Sequence, residues 1–178
     1  YTLWIDATDG EIRNFELKRK ESNGNNISQN HAVAIARKFV QEFYKGEMKE
    51  EMFYIDETDE SAGIYSFRFT PIIEEVEIVS DAYTVNVSTS SGEVIKFTND
   101  FSGTEFHKKE ADTDVEEVLE KYYEEYGDMD YNGLAIVRSF YTRYEPKLTH
   151  SFRTVQDQQQ SMVFIDVATG MSINQLYY

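Results

Sequence analysis

With 178 residues, 40% of them apolar and 28% charged, the chain has the length of one large domain or two small ones and the composition of a folded protein. Seventeen bases against 33 acids leave a formal charge of −16, a field that repels nucleic acid and anionic membrane surfaces. The lack of Cys excludes disulfides, zinc thiolate sites and cysteine nucleophiles together, and no apolar run nears the roughly 18–20 residues of a membrane span.

The chain opens on a strand-like run, Tyr1-Thr2-Leu3-Trp4-Ile5, with no Met before it. An opening in mid-pattern predicts a piece of a longer protein, with any signal peptide or anchor upstream. Residues 1–22 are expected to be the terminal hairpin of a preceding unit. Its apolar edge, left bare, would invite aggregation, so it is expected to dock on its neighbour. Asn23-Gly24-Asn25-Asn26 is the expected linker. Ser28 to Gly46 reads as a helix, with Ser28 as N-cap and Gly46 as stop. Ala32, Ile35, Ala36, Phe39, Val40 and Phe43 fall on one face at a 3.6-residue period.

Strands are expected at Met52–Asp56, Ile64–Thr70, Val76–Val79, Tyr83–Ser88 and Glu93–Thr98. A second helix runs from Thr113 to Gly127. Thr113 with Glu116 makes a capping-box pattern, and Val115, Val118, Leu119, Tyr122, Tyr123 and Tyr126 form its stripe. Strands follow at Leu134–Tyr144, His150–Val155, Ser161–Val167 and Met171–Leu176. The acid-rich run 56–60 and the run 157–160 read as solvated turns.

One short pattern occurs three times: an alternating strand, a turn closed by Gly, and a second strand. The copies are Leu3 to Ile12 around Gly10, Thr84 to Ile95 around Gly92, and Val163 to Ile173 around Gly170. Gly there supplies the positive φ of a tight turn, and the neighbouring Asp, Ser and Thr bond the turn backbone. These turns are hairpins, not sites. Ser66-Phe67-Arg68 and Ser151-Phe152-Arg153 fall in matching positions. A lone amphipathic helix must bury its stripe on something, and the apolar face of a sheet is available. The expected fold is α+β: tandem repeats, each one amphipathic helix packed on an antiparallel β-meander. The expected domains are a hairpin at 1–22, a first repeat at 23–108 and a second at 109–178.

The helix Ala32-x-x-Ile35-Ala36-x-x-Phe39, the strand Phe67-Arg68, the run Val76 to Val85 and the hairpin Ser91 to Val94 resemble PepSY-like domains of the YcdB/YcdC repeat type. Phe164-Ile165-Asp166-Val167-Ala168-Thr169-Gly170 resembles the terminal hairpin of such repeats, departing at Val167 where a further Ala is commoner. The germination protein YpeB has related domains. The likeness covers most of the chain, and its motifs concern turns and core. It implies a PepSY/cystatin-like fold in a surface protein of a Gram-positive bacterium. It further implies a non-catalytic extracytoplasmic module that restrains a peptidase or regulates a cell-wall enzyme. The family offers no catalytic residues to carry over.

The sharpest local motif is Asp128-Met129-Asp130-Tyr131-Asn132-Gly133, the opening of a calcium loop with oxygens at positions one, three and five. Position twelve is Ser139, where a bidentate Glu is needed, and a strand follows where a helix should. A polar helix-to-strand turn with no metal is expected. His31, His107 and His150 have no zinc spacing, and no Gly-x-Ser-x-Gly elbow exposes a serine. Asp112, Asp114, Glu116, Glu117, Glu120, Glu124 and Glu125 form an acidic helix face, read first as solvation and second as a docking face for a basic partner. Lys18-Arg19-Lys20 reads as a solvated strand end. No phosphate loop or dinucleotide fingerprint is present.

No catalytic, cofactor-binding or metal-binding residues are therefore assigned. The expected partner is a protein, a peptidase or wall hydrolase, engaged by surface docking such as strand addition. Nucleic acid and direct membrane insertion are not expected. The alternatives are a structural spacer of stacked repeats and a hydrolase using distant carboxylates.

Overall fold

The computed structural model describes residues 1–17, 26–53, 63–103, 113–138, 144–156 and 159–173. It is a sheet-dominated α+β fold, with two helices and ten strands among the described residues. The chain divides into two compact units, Tyr1–Pro71 with Asp81–Thr104, and Ile72–Ser80 with Glu105–Tyr178.

In the first unit, helix α1 spans Gln29–Val40. Ser28 caps it, accepting a hydrogen bond from the His31 amide at 3.3 Å. The helix stops at Val40, short of the expected Gly46. The amides of Glu42 and Phe43 bond three residues back, to Phe39 and Val40, and these tighter bonds end the α-helical ladder. The strands are β1 (Thr2–Ile5), β2 (Ile12–Glu16), β3 (Met48–Phe53), β4 (Ile64–Ile73), β6 (Tyr83–Ser88) and β7 (Val94–Asn99). They pair antiparallel in the order β1-β2-β7-β6-β4-β3. Strand β3 begins earlier than expected, at Met48, which pairs with Pro71 of the long strand β4; residues 54–56 of the expected strand lie outside the described residues.

Ala32, Ala36 and Val40 of α1 are fully buried against Phe67, Phe69, Tyr83, Val85, Val87 and Phe97. Small helix residues let the backbone approach a sheet face made of rings. Phe97 meets Phe43 at 4.6 Å and Phe39 at 5.1 Å between ring centroids. Burial holds the Tyr83 hydroxyl far above the usual tyrosine range.

In the second unit, helix α2 spans Val115–Tyr126. Its cap is Asp114, whose Oδ1 accepts from the Glu116 amide at 2.7 Å; the expected cap, Thr113, is one residue outside. Gly127 closes the helix at φ 69°. Val118 and Tyr122 are buried and Val115, Leu119 and Tyr126 partly so, against Phe152, Val163 and Ile165. Tyr123, expected in this stripe, is exposed.

The strands here are β5 (Val76–Ile78), β8 (Met129–Val137), β9 (Lys147–Gln156) and β10 (Gln159–Asp166). The last three form an antiparallel meander. Strand β5, which the sequence groups with the first repeat, pairs with β8, and it does so in parallel, Glu77 opposite Ala135 and Ile78 opposite Ile136. The sheet of this unit is therefore not the purely antiparallel meander expected. Strand β8 starts at Met129, so the run expected to be a turn is strand. A bulge between Tyr131 and Gly133 absorbs its extra residue. The region expected as a closing strand, Met171–Leu176, shows one bridge between Ser172 and Ile165; residues 174–178 lie outside the described residues.

The three Gly turns share one geometry. The Gly10, Gly92 and Gly170 amides each donate at 2.9 Å to the carbonyl four residues back, of Asp6, Ser88 and Asp166. Those same residues donate back to Glu11, Glu93 and Met171. The three glycines sit at φ 76°, 71° and 61°, where a side chain is strained. Asp6 and Asp166 bond the turn amides with Oδ1, and Ser88 does so with its hydroxyl.

Candidate functional site

Two surfaces stand out. The first is the edge strand β1, which pairs only with β2 among the described residues. Its residues Tyr1 to Ile5 carry no side-chain charge, in a chain with 33 acids. Leu3, Trp4 and Ile5 are 47%, 66% and 56% exposed. Edge strands in soluble proteins are usually blunted by charges, Pro or bulges. Here one irregularity lies between Trp4 and Ile5, beside the turn, and the apolar run itself is open. The turn beyond it is held rigid. Arg13 bonds Asp6 at 3.1 Å, Asp9 at 2.7 Å and the Phe101 carbonyl at 2.7 Å. The Thr8 amide holds the Asp6 carboxyl below the ordinary carboxylate range, against the opposing effect of desolvation.

The second is an open cleft of about 540 Å³ at the carboxyl end of α2, lined in part by Tyr123, Glu124, Glu125, Asp128, Asp130 and Arg153. The last turn of α2 carries no base, so its carboxylates add to the negative end of the helix dipole. Asp130 on β8 lies opposite Arg153 on β9. Asp128 and Asp130 of the calcium-like run reach this cleft, whereas Asn132 lies in the β8 bulge and Ser139 is outside the described residues. Among the described residues no group of three His, Cys, Asp or Glu side chains is placed to hold a metal ion.

The histidines serve different ends. His31 is exposed on α1, and His107 lies outside the described residues. His150 is 3% exposed on β9, with Nε2 at 3.0 Å from the Thr113 carbonyl and Nδ1 at 3.4 Å from the Tyr131 hydroxyl. A carbonyl only accepts, so Nε2 carries a proton and donates it to Thr113. The ring ties the start of α2 to the sheet. Asp100 is the acid that burial, with Asp81 nearby, pushes upward against the pull of Arg68. It is not among the residues that line the cleft, so raised acid and cleft do not make one site. The sequence marks hairpin 1–22 by its apolar edge and expects it to dock; β2 does dock, on β7, while β1 pairs only with β2 among the described residues, because which strand of a hairpin finds a partner depends on residues far away in the chain.

Comparison with known proteins places the chain. No curated protein matches it in sequence. Among solved structures it is similar to the Bacillus megaterium YpeB C-terminal domain, at a TM-score of 0.66 and 21% identity. That match covers 96% of this chain and 73% of that one. It shows a shared fold. The family model of the YcdB, YcdC repeated domain matches residues 2–100, more than half of the chain. The chain belongs to the YcdB, YcdC repeated-domain family.

Proposed function

We propose that the chain is a non-catalytic, extracytoplasmic docking module that restrains or regulates a peptidase or cell-wall enzyme through its surface. The observation that carries this reading is β1: an uncharged, largely apolar edge strand open to solvent, with its turn braced by Arg13. An extended segment of a partner can add to such an edge, with backbone hydrogen bonds giving affinity and side-chain contacts giving selectivity. The acid excess argues against nucleic acid and anionic membranes as partners. No helix among the described residues is long and apolar enough to cross a membrane.

The module is read as two repeats of one plan. In each, a helix lies on a sheet and its amino-terminal end is bonded to the Gly hairpin of the same unit. The threefold recurrence of that hairpin favours a second reading, a spacer built of stacked units. Binding and inhibition assays against purified peptidases and wall hydrolases separate the two. The docking reading expects a complex, no turnover by the chain, and loss of the complex in Trp4→Asp with melting kept as in the parent, the Trp4 side chain being 66% exposed. Absence of any complex leaves the spacer. Hydrolysis by the chain itself sinks both.

A further inference from the structure

We propose that hairpin β1–β2 receives an amphipathic helix from another repeat of this kind, lying over Leu3 and Ile5 as α1 lies over Val85 and Val87. The inference rests on the reading of β1 as a docking surface and names what seats on its helix-facing side. The three hairpins align residue for residue on their glycines. Leu3 matches Val85 and Val163; Ile5 matches Val87 and Ile165; Ile12 and Phe15 match Val94 and Phe97. Val85 and Val87 are closed to solvent in the α1 core, and Val163 and Ile165 in the α2 core. Leu3 and Ile5 are about half exposed.

The turns repeat the contrast. A Cβ on Gly92 would meet Ile35 at 3.4 Å and Ile27 at 3.7 Å. One on Gly170 would meet Thr113 at 3.4 Å and Lys121 at 3.9 Å. Ile27 and Thr113 each precede a helix cap, and Ile35 and Lys121 each lie seven residues after one. Over Gly10 there is nothing within 4 Å among the described residues. Two hairpins are roofed by a helix and the third, among the described residues, is bare.

The bare surface continues an interface already built. Leu3 pairs with Phe15, and directly opposed residues of antiparallel strands point to one face. The Phe15 ring packs on Phe39 of α1 at 5.7 Å. The apolar face that carries α1 therefore runs on past it to Leu3. Charge specifies the occupant further. Asp6, Asp9 and Glu11 share the single guanidinium of Arg13, which leaves an acidic turn. In the second unit the roofing helix places a base there: Lys121 Nζ donates to the Gly170 carbonyl at 2.6 Å. The occupant is thus a helix with an apolar stripe and a net positive charge. A second folded copy cannot supply it, because α1 and α2 already bury their stripes on their own sheets.

The test is an NMR titration of the intact labelled chain with a synthetic peptide of residues 26–43, which carries the α1 stripe with Arg37 and Lys38 against Glu42. Saturable shifts at Leu3, Ile5, Gly10 and Ile12 are expected below about 1 mM peptide, weakened about tenfold or more in Leu3→Asn/Ile5→Asn. The double variant should melt as the parent does, since both side chains are exposed. No shifts by about 1 mM, shifts elsewhere, or equal binding by the double variant overturns the proposal. So does a Trp4 emission that changes with protein concentration alone, which would mean that a second copy pairs with the edge. Peptide binding without binding of any peptidase or wall enzyme sinks the proposed function and leaves this inference standing.

Discussion

Thr113 Oγ1 donates a 3.0 Å hydrogen bond to the carbonyl of Val167, tying the residue before the cap of helix α2 to the first turn residue of the third hairpin. The first unit makes the same tie with backbone alone: the Ile27 amide donates to the Thr89 carbonyl at 2.7 Å. Helix and hairpin are thereby locked at their ends as well as along the stripe. Thr113→Val keeps the shape and removes the donor, leaving the Val167 carbonyl short of a partner. The expected loss is about 1–2 kcal/mol by denaturant unfolding. No loss would mean that water replaces the hydroxyl.

The glycines of the three turns should respond unequally. Alanine at Gly10, Gly92 or Gly170 meets the positive φ and costs about 1–2 kcal/mol at each. Valine separates them. At Gly92 its methyls run into Ile35 and Ile27, whereas at Gly10 the space is open. Gly92→Val should melt well below Gly10→Val; equal melting would show that α1 does not press on the turn.

Phe97 carries much of the first core, with rings of Phe15, Phe39, Phe43 and Tyr83 around it. Phe97→Ala is expected to cost about 3–5 kcal/mol. Tyr123→Ala, on an exposed helix position, should change stability by no more than about 0.5 kcal/mol.

These residues show what was legible in sequence. The α1 stripe and Ser28 cap follow from a local period and a local bond. The Gly turns follow from the φ that they need. Thr113 was misread as the α2 cap because Thr and Asp both cap helices; its hydroxyl is engaged by Val167, far along the chain, and Asp114 takes the role. Asp128 to Gly133 has turn composition, yet pairing with β9 makes Met129 onward strand and the bulge accommodates Gly133. The parallel pairing of β5 with β8 and the open side of β1 are set by distant partners, which no local pattern encodes.

Two acids should shape the pH dependence in opposite senses. Asp6 has its folded pKa lowered, so its contribution is present above the unfolded value near 3.9 and is lost as pH falls through the folded value. Asp100 has its folded pKa raised, so its contribution is present below about 3.9 and is lost as pH rises through the folded value. Asp100→Asn should therefore stabilise the chain slightly at neutral pH, with the gain vanishing in acid. The effect is small because Asp100 keeps an exposed side. Stability curves of both chains against pH test it, and a gain that grows in acid would reverse the assignment.

The most direct test of the docking account is amide hydrogen exchange on the chain alone and in complex with a peptidase or wall hydrolase that it binds. The account predicts strong new protection at Thr2–Ile5 in the complex. A stable complex that leaves those amides exchanging as they do in the free chain would contradict it.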